Sequence, residues 1–250
     1  MKLLICGLHG HMGSIVAKLA LAENAGVEKI VGVDAAPCAD RALSDLPCAS
    51  SFAAADPKVD CVIDFSHHSL TSDLLAFAVK NKLPLVLATT GQTEEEKRAI
   101  ETAAKEIPIF FAPNYSIGVT LLVDLAKRAA KAMPNAEIEI VECHHDRKLD
   151  APSGTALALA GALKEVRPEA KIIPGRTGAG KREKDEIPIH SLRMGNIAGI
   201  HEVILGTDSQ TLTLRHEVHD RGVFAEGALV AAKFIVNKAP GLYDMHDLLS

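Results

Sequence analysis

Short apolar runs alternate with amphipathic stretches through the first half of the chain. Leu3–Cys6 leads into a helical pattern from Gly13 to Leu21, and Lys29–Val33 follows it. Cys61–Phe65, Leu85–Ala88 and Ile109–Phe111 read as further strands, separated by helices near Thr71–Asn81 and Thr93–Lys105. Strand and helix in regular succession predict an α/β unit: a doubly wound parallel sheet with helices on both faces.

The rhythm changes after Asn114-Tyr115-Ser116. A helical pattern runs to about Met133, and then Glu137–Glu142 and Gln210–Arg215 alternate polar with apolar residues. That period of two predicts strands with one covered face, in an open, mixed and mainly antiparallel sheet of an α+β domain. A helical pattern returns over Arg221–Asn237, then Pro240-Gly241 and a short tail. The polar Gly175–Asp185 stretch reads as a mobile loop.

Composition narrows the ligand. The 250 residues carry a net charge of -5, and 4% are aromatic with no Trp, so neither a basic face for phosphate backbones nor stacking platforms for bases are on offer. Nucleic acid is excluded as a partner on this reading, and a small molecule is expected. No apolar run approaches the roughly 20 residues that span a bilayer, which argues against a membrane protein. The five cysteines are scattered without C-x-x-C spacing, as in a chain of a reduced cytoplasmic compartment, with each thiol a small core residue.

Two segments carry chemistry. Gly7-Leu8-His9-Gly10-His11-Met12-Gly13 lies between the first strand and the first helix, where glycines permit a tight turn and let backbone N–H groups approach a pyrophosphate. Val33-Asp34 ends the second strand, with the acid about twenty residues beyond the loop, where a carboxylate accepts the ribose hydroxyls of an adenosine. Ala35 and Ala36 follow it, so no cation is present to neutralise a 2′-phosphate, and NADH is expected to be preferred over NADPH.

The second segment is Glu142-Cys143-His144-His145-Asp146-Arg147-Lys148-Leu149-Asp150-Ala151-Pro152-Ser153-Gly154-Thr155, ahead of an Ala/Leu-rich helix over Ala156–Val166. Pro152 suits a first helical turn, in which Ser153, Gly154 and Thr155 would present amides and hydroxyls to a carboxylate or phosphate. Two imidazoles and a lysine stand just upstream, on a turn, and these are groups that trade protons near neutral pH. Adjacent histidines seldom share a metal, so no metal site is expected. His67 and His68, at a strand end, are expected to line the cofactor site without chemistry, and His216 and His219 carry no assigned role.

The run from Glu142 to Thr155 resembles the signature E-x-H-H-x-x-K-x-D-A-P-S-G-T of bacterial and plant dihydrodipicolinate reductases, with every fixed position present. Ala88-Thr89-Thr90-Gly91, Ala112–Ser116, Arg193-Met194-Gly195 and Phe224–Ala228 extend the likeness over nearly the whole chain. The resemblance implies reduction of dihydrodipicolinate (4-hydroxy-tetrahydrodipicolinate) with NADH or NADPH, on the route to diaminopimelate and lysine. It implies that Gly7, Leu8, His9, Gly10, His11, Met12, Asp34, Ala88, Thr89, Thr90, Ala112, Pro113, Asn114 and Tyr115 contact the dinucleotide. His144 would be the acid–base residue and Lys148 a proton donor, while His145, Ser153, Gly154 and Thr155 would hold the dicarboxylate substrate. Family members commonly have Gly at the position of Ala88. The family fold further implies a Rossmann-like dinucleotide domain over 1–113 and 222–250, a substrate and tetramerisation domain over 114–221, and a homotetramer.

Overall fold

The computed structural model describes residues 1–23 and 25–250. In chain order the elements are β1 (Lys2–Cys6), α1 (His11–Leu21), β2 (Lys29–Val33), β3 (Cys48–Ala49), β4 (Cys61–Asp64), α2 (Thr71–Asn81), β5 (Leu85–Leu87), α3 (Glu94–Ala103), β6 (Pro108–Phe111) and α4 (Ile117–Ala132). They continue with β7 (Glu137–His144), α5 (Gly154–Val166), β8 (Lys171–Ile173), β9 (Glu186–Arg193), β10 (Gly199–Gly206), β11 (Thr211–Val218), α6 (Gly222–Ile235), β12 (Gly241–Tyr243) and α7 (Met245–Leu249). Two compact units result: Met1–Ser116 with Gly222–Ser250, and Ile117–Arg221. Asn114, Tyr115 and Ser116 thus fall in the first unit, three residues beyond the boundary expected from sequence. The reason is Tyr115, which is buried with its hydroxyl within hydrogen-bond reach of the Leu87 and Phe110 carbonyls at 3.0 and 3.2 Å.

The first unit is a seven-stranded sheet of order β12-β6-β5-β4-β1-β2-β3 in which every pairing is parallel. Leu3, Leu4 and Ile5 of β1 and Val62 and Ile63 of β4 are wholly buried. Helices must therefore cover both faces, which is why these strands read as unbroken apolar runs. α6 packs on α1 and on β4, β5 and β6, while α2 packs against α3. The strands β3 and β12 and the helix α7 lie in stretches read from sequence as connections or tail. Two and three residues are too few to show a period, and β12 is fixed by pairing with β6.

The second unit is a five-stranded sheet of order β11-β10-β7-β9-β8. It is mixed and mainly antiparallel, as expected: β10 pairs antiparallel with β11 and β7 along nearly its whole length, while β9 pairs parallel with β7 and β8 over shorter stretches. The parallel pairing of β9 with β7 follows from α5 and β8, which form the crossover between them. α4 and α5 pack on each other, and their apolar residues join Ile138, Ile140, Ile187, Ile189, Val203 and Leu205 in one core. Arg167, at the end of α5, donates to the carbonyls of Ala130, Met133 and Ala136, closing the last turn of α4. The Gly175–Asp185 stretch is irregular as expected, yet Arg182 fixes it through the Ile138, Glu183 and Glu186 carbonyls and the Glu139 carboxylate.

Candidate active site

In the first unit the loop after β1 is shaped by glycines that no other residue replaces without a shift. Gly7 has φ +74°, and a Cβ there would stand 2.6 Å from the Phe65 carbonyl oxygen; at Gly13 a Cβ would meet the Gly7 carbonyl oxygen at 2.0 Å. Gly10 is the N-cap of α1, in extended conformation and without a side-chain cap. Helix α1 consequently starts at His11, two residues before the apolar period shows it, with first-turn amides that no side chain of the cap occupies. The Asp34 carboxylate accepts the His9 N–H at 2.9 Å and the Ala36 N–H at 2.8 Å, and the His9 ring donates to the Ala36 carbonyl at 2.7 Å. Asp34 therefore ties the end of β2 to the glycine loop, with further lone pairs left for hydroxyl donors.

Two cavities open on this unit. One of about 1010 Å³ is bordered by Gly7, His9, Gly10 and Asp34, together with Ser51, Phe52 and Phe77. The other, about 600 Å³, is bordered by His11, Met12, Ala88, Thr89, Thr90, Pro113, Asn114 and Tyr115, with His67, His68 and Phe224. Leu8 and Ala112 are absent from both borders: their side chains are buried, so any ligand contact they make is through main chain. Ala88, at the position where the resembled family commonly has glycine, is on the border of the second cavity. His68 Nδ1 lies 3.1 Å from both Glu96 oxygens, and Glu96 with Thr93 caps α3. A glycine turn that a Cβ would fill, an uncapped helix start and a carboxylate at the end of β2 fit a dinucleotide.

In the second unit the acid–base cluster begins within a strand. β7 runs on to His144, so that residue is not on a turn as expected; only His145 onward leaves the sheet, with its N–H donating to the Ile197 carbonyl. Because side chains alternate along a strand, Glu142 and His144 share one face. Register sets His201 of β10 and Ser191 of β9 beside Glu142, and Arg193 beside His144.

Glu142 is completely buried. It receives the His144 Nδ1 at 2.5 Å and two Arg193 guanidinium N–H groups at 2.8 and 2.9 Å, and the Ser153 N–H at 3.2 Å. Burial raises the pKa of its carboxyl, but the Arg193, Ser191 and His144 hydrogen bonds outweigh that and hold it below the usual carboxylate range. Burial lowers the pKa of the His144 imidazole, assisted by the charges of Lys148 and Arg193 and opposed by Glu142. His201, packed edge-to-face on His144 with ring centres 5.1 Å apart, is driven by burial down to about 4.

Pro152 lies ahead of the helix rather than in its first turn. Ser153 is the N-cap of α5, its hydroxyl accepting the Ala156 N–H at 3.2 Å and pairing with His201 Nε2 at 3.0 Å. Its own N–H goes to Glu142, so Ser153 spends its main-chain donor inside the protein, and the helix start at Gly154 and Thr155 is what remains for an anion. Lys148 Nζ pairs with Asp150 at 2.8 Å. His145 Nε2 accepts from Arg221 at 3.3 Å, a cation that sequence reasoning passed over because it stands far from the signature in the chain. Arg193 was noted only as part of a likeness, and His201 not at all; both are joined to Glu142 by strand register, for which a single strand's sequence holds no signal. His216 and His219 gain no role, and among the described residues no group of three His, Cys, Asp or Glu side chains is placed to hold a metal.

Both units match known proteins. Residues 1–115 match the family model described as "Dihydrodipicolinate reductase, N-terminus" and residues 118–249 the one described as "Dihydrodipicolinate reductase, C-terminus". The chain is 45% identical to the 4-hydroxy-tetrahydrodipicolinate reductase of Caldanaerobacter subterraneus subsp. tengcongensis, covering 99% of this chain and 98% of that one. It is 42% identical to the enzyme of that name from Alkaliphilus oremlandii, covering 100% and 99%. Among solved structures, the dipicolinate-bound dihydrodipicolinate reductase from Paenisporosarcina sp. TG-14 superposes with a TM-score of 0.80 at 27% identity, covering 98% of this chain and 97% of that one.

Proposed function

The chain belongs to the dihydrodipicolinate reductase family and is an oxidoreductase acting on 4-hydroxy-tetrahydrodipicolinate in lysine and diaminopimelate biosynthesis; from that premise we propose how its residues divide the work. The first unit binds the nicotinamide cofactor, with the amides of Gly7–Met12 at the pyrophosphate and Asp34 at the adenosine ribose. Ala88–Thr90 and Ala112–Tyr115 lie toward the nicotinamide. Once the 4-hydroxyl has left as water to give the conjugated dihydrodipicolinate, the bound cofactor supplies the hydride to the ring carbon conjugated with the imine. The two alanines after Asp34 offer no cation to a 2′-phosphate, which favours NADH.

Hydride addition leaves an enamine-like intermediate that must gain a proton. Lys148 supplies it and His144 relays it, while the start of α5 at Gly154 and Thr155, held in place by the Ser153 cap, binds one substrate carboxylate. His145 and the neighbouring Arg221 hold the other. The observation that carries this reading is the convergence of His144, Arg193 and the Ser153 N–H at the α5 cap on the buried Glu142 carboxylate, with Lys148 close by in the same segment, paired with Asp150. A homotetramer assembled through the face of the second sheet opposite α4 and α5, where Leu192 is exposed and Val141, Ile200 and Ile204 are half-buried, and a cytoplasmic location complete the proposal. No helix among the described residues is long and apolar enough to cross a membrane.

The test is loss of reduced-nicotinamide absorbance when the protein meets the condensation product of pyruvate and aspartate semialdehyde, formed in the cuvette. NADH should be oxidised with the higher kcat/KM; a clear preference for NADPH would overturn the role given to Asp34. Small-angle scattering reads the assembly, and a monomeric mass would remove the tetramer.

A further inference from the structure

A carboxylate with no exposed surface costs several kcal/mol to bury unless its charge and lone pairs are met. Glu142 meets that cost by accepting four donors from three parts of the second unit. They are His144 on its own strand, the Arg193 guanidinium from β9, and the N–H of Ser153 at the cap of α5. Nothing in the proton transfer proposed above uses Glu142 directly, yet it touches both the relay and the anchor.

An ionised carboxylate can only accept hydrogen bonds, so the contact to His144 requires the proton to sit on Nδ1. In the neutral imidazole Nε2 then bears the lone pair. That nitrogen faces Gly199, where a Cβ would stand 3.2 Å away; the missing side chain keeps the working side of the ring clear. We infer that Glu142 is a positioning residue that fixes His144 in the Nδ1–H tautomer, so that Nε2 alone exchanges protons, and that locks the ring to the start of α5 through the Ser153 N–H. The inference rests on the relay role proposed for His144 and deepens it.

The charged and titratable groups facing the ring are Glu142 on β7, Arg193 on β9, His201 on β10 and Lys148 in the loop before α5. Glu142 is the one anion among them, so its replacement has a defined sign. In Glu142→Gln the carboxamide oxygen is drawn to Arg193 and the Ser153 N–H, which turns its NH2 toward His144. Nδ1 must then accept, and the proton moves to Nε2.

Nitrogen-15 spectra of histidine-labelled protein, with His144 assigned by its loss in His144→Ala, read the tautomer directly. The wild type should show a protonated Nδ1, Glu142→Gln a protonated Nε2, and Glu142→Asp the wild-type form. kcat should fall roughly 10²–10⁴-fold in Glu142→Gln and recover in part in Glu142→Asp. The limb of the pH profile that carries His144 should move to lower pH, because the anion that raises its pKa is gone. In the His144→Ala background the Gln substitution should cost no further turnover. A resting Nε2–H tautomer in the wild type, or equal losses from Glu142→Gln with and without His144, would overturn the inference. Should the Gln variant not fold, judged by loss of a cooperative urea transition, the wild-type and Asp spectra decide the matter. Unchanged turnover in His144→Ala would strike the relay reading instead, and the resting tautomer would still decide this one.

Discussion

On the reading proposed above, the two sheets carry function in different ways. In the parallel sheet the working groups lie beyond the carboxyl ends of the strands and are mostly main chain: a turn that admits glycine at Gly7 and Gly13, an uncapped helix start, amides held by Asp34. In the mixed sheet they are side chains of the strands themselves, set side by side by register, with Glu142 between Ser191 and His201. The first arrangement depends on space and the second on charge. Substitutions that add a methyl should therefore damage the one, and substitutions that change ionisation should damage the other.

The largest effect tests the charged side. His144→Ala and Lys148→Ala should each lower kcat by roughly 10²–10⁴-fold, the range for a positioned proton donor, with NADH binding retained. Stopped-flow traces with wild-type turnover in both variants would remove them from the reaction.

The next effect concerns stability. His201 titrates near 4 in the folded protein and near about 6.5 when unfolded. Between those values the unfolded chain binds a proton that the folded chain does not, so stability from this group is complete above about pH 6.5 and is lost as pH falls toward 4. The loss is on the order of 3 kcal/mol. Urea unfolding of wild type and His201→Gln, each near neutral pH and in mild acid, should show a steeper decline in the wild type; parallel declines would mean that burial of His201 does not set the acid limit.

Gly13→Ala tests the spatial side. Its Cβ would sit 2.0 Å from the Gly7 carbonyl oxygen, and displacement of the loop should weaken NADH binding about 10²-fold, the scale of a misplacement near one ångström. The KM for the dicarboxylate substrate should stay nearly unchanged, and calorimetry with NADH beside steady-state rates reads the contrast. If both affinities fell together, the two regions would not be independent in the way their construction suggests. The smallest effect belongs to Thr155→Val, which should raise KM about tenfold and leave kcat nearly unchanged, as expected when a ligand contact is lost.

This contrast also accounts for what could be read in the sequence. Unbroken apolar strands, a glycine run and an acid at a fixed distance are local signals, and they placed the parallel sheet and its loop. The fourteen-residue signature likewise singled out His144, Lys148 and the α5 start as candidates. Register is not local: nothing near Arg193 or His201 tells which residue of another strand each will meet, and Arg221 reaches His145 from 76 positions away. Which strands of the second sheet pair parallel is not local either, since alternation marks a covered face but not the direction of the neighbour. Pro152 misled because proline is at home on either side of a cap, and only the Ser153 hydroxyl bond to Ala156 shows where the helix starts.

The bond from the Ser153 N–H to Glu142 joins residues 11 positions apart, which closes the intervening segment into a ring rather than leaving it a surface loop. A ring has a fixed circumference. Ordinary connections tolerate an extra residue at little cost, but here one more or one fewer would unhook either the imidazole end or the helix end, so the spacing of the signature is a length standard as well as a set of residue types.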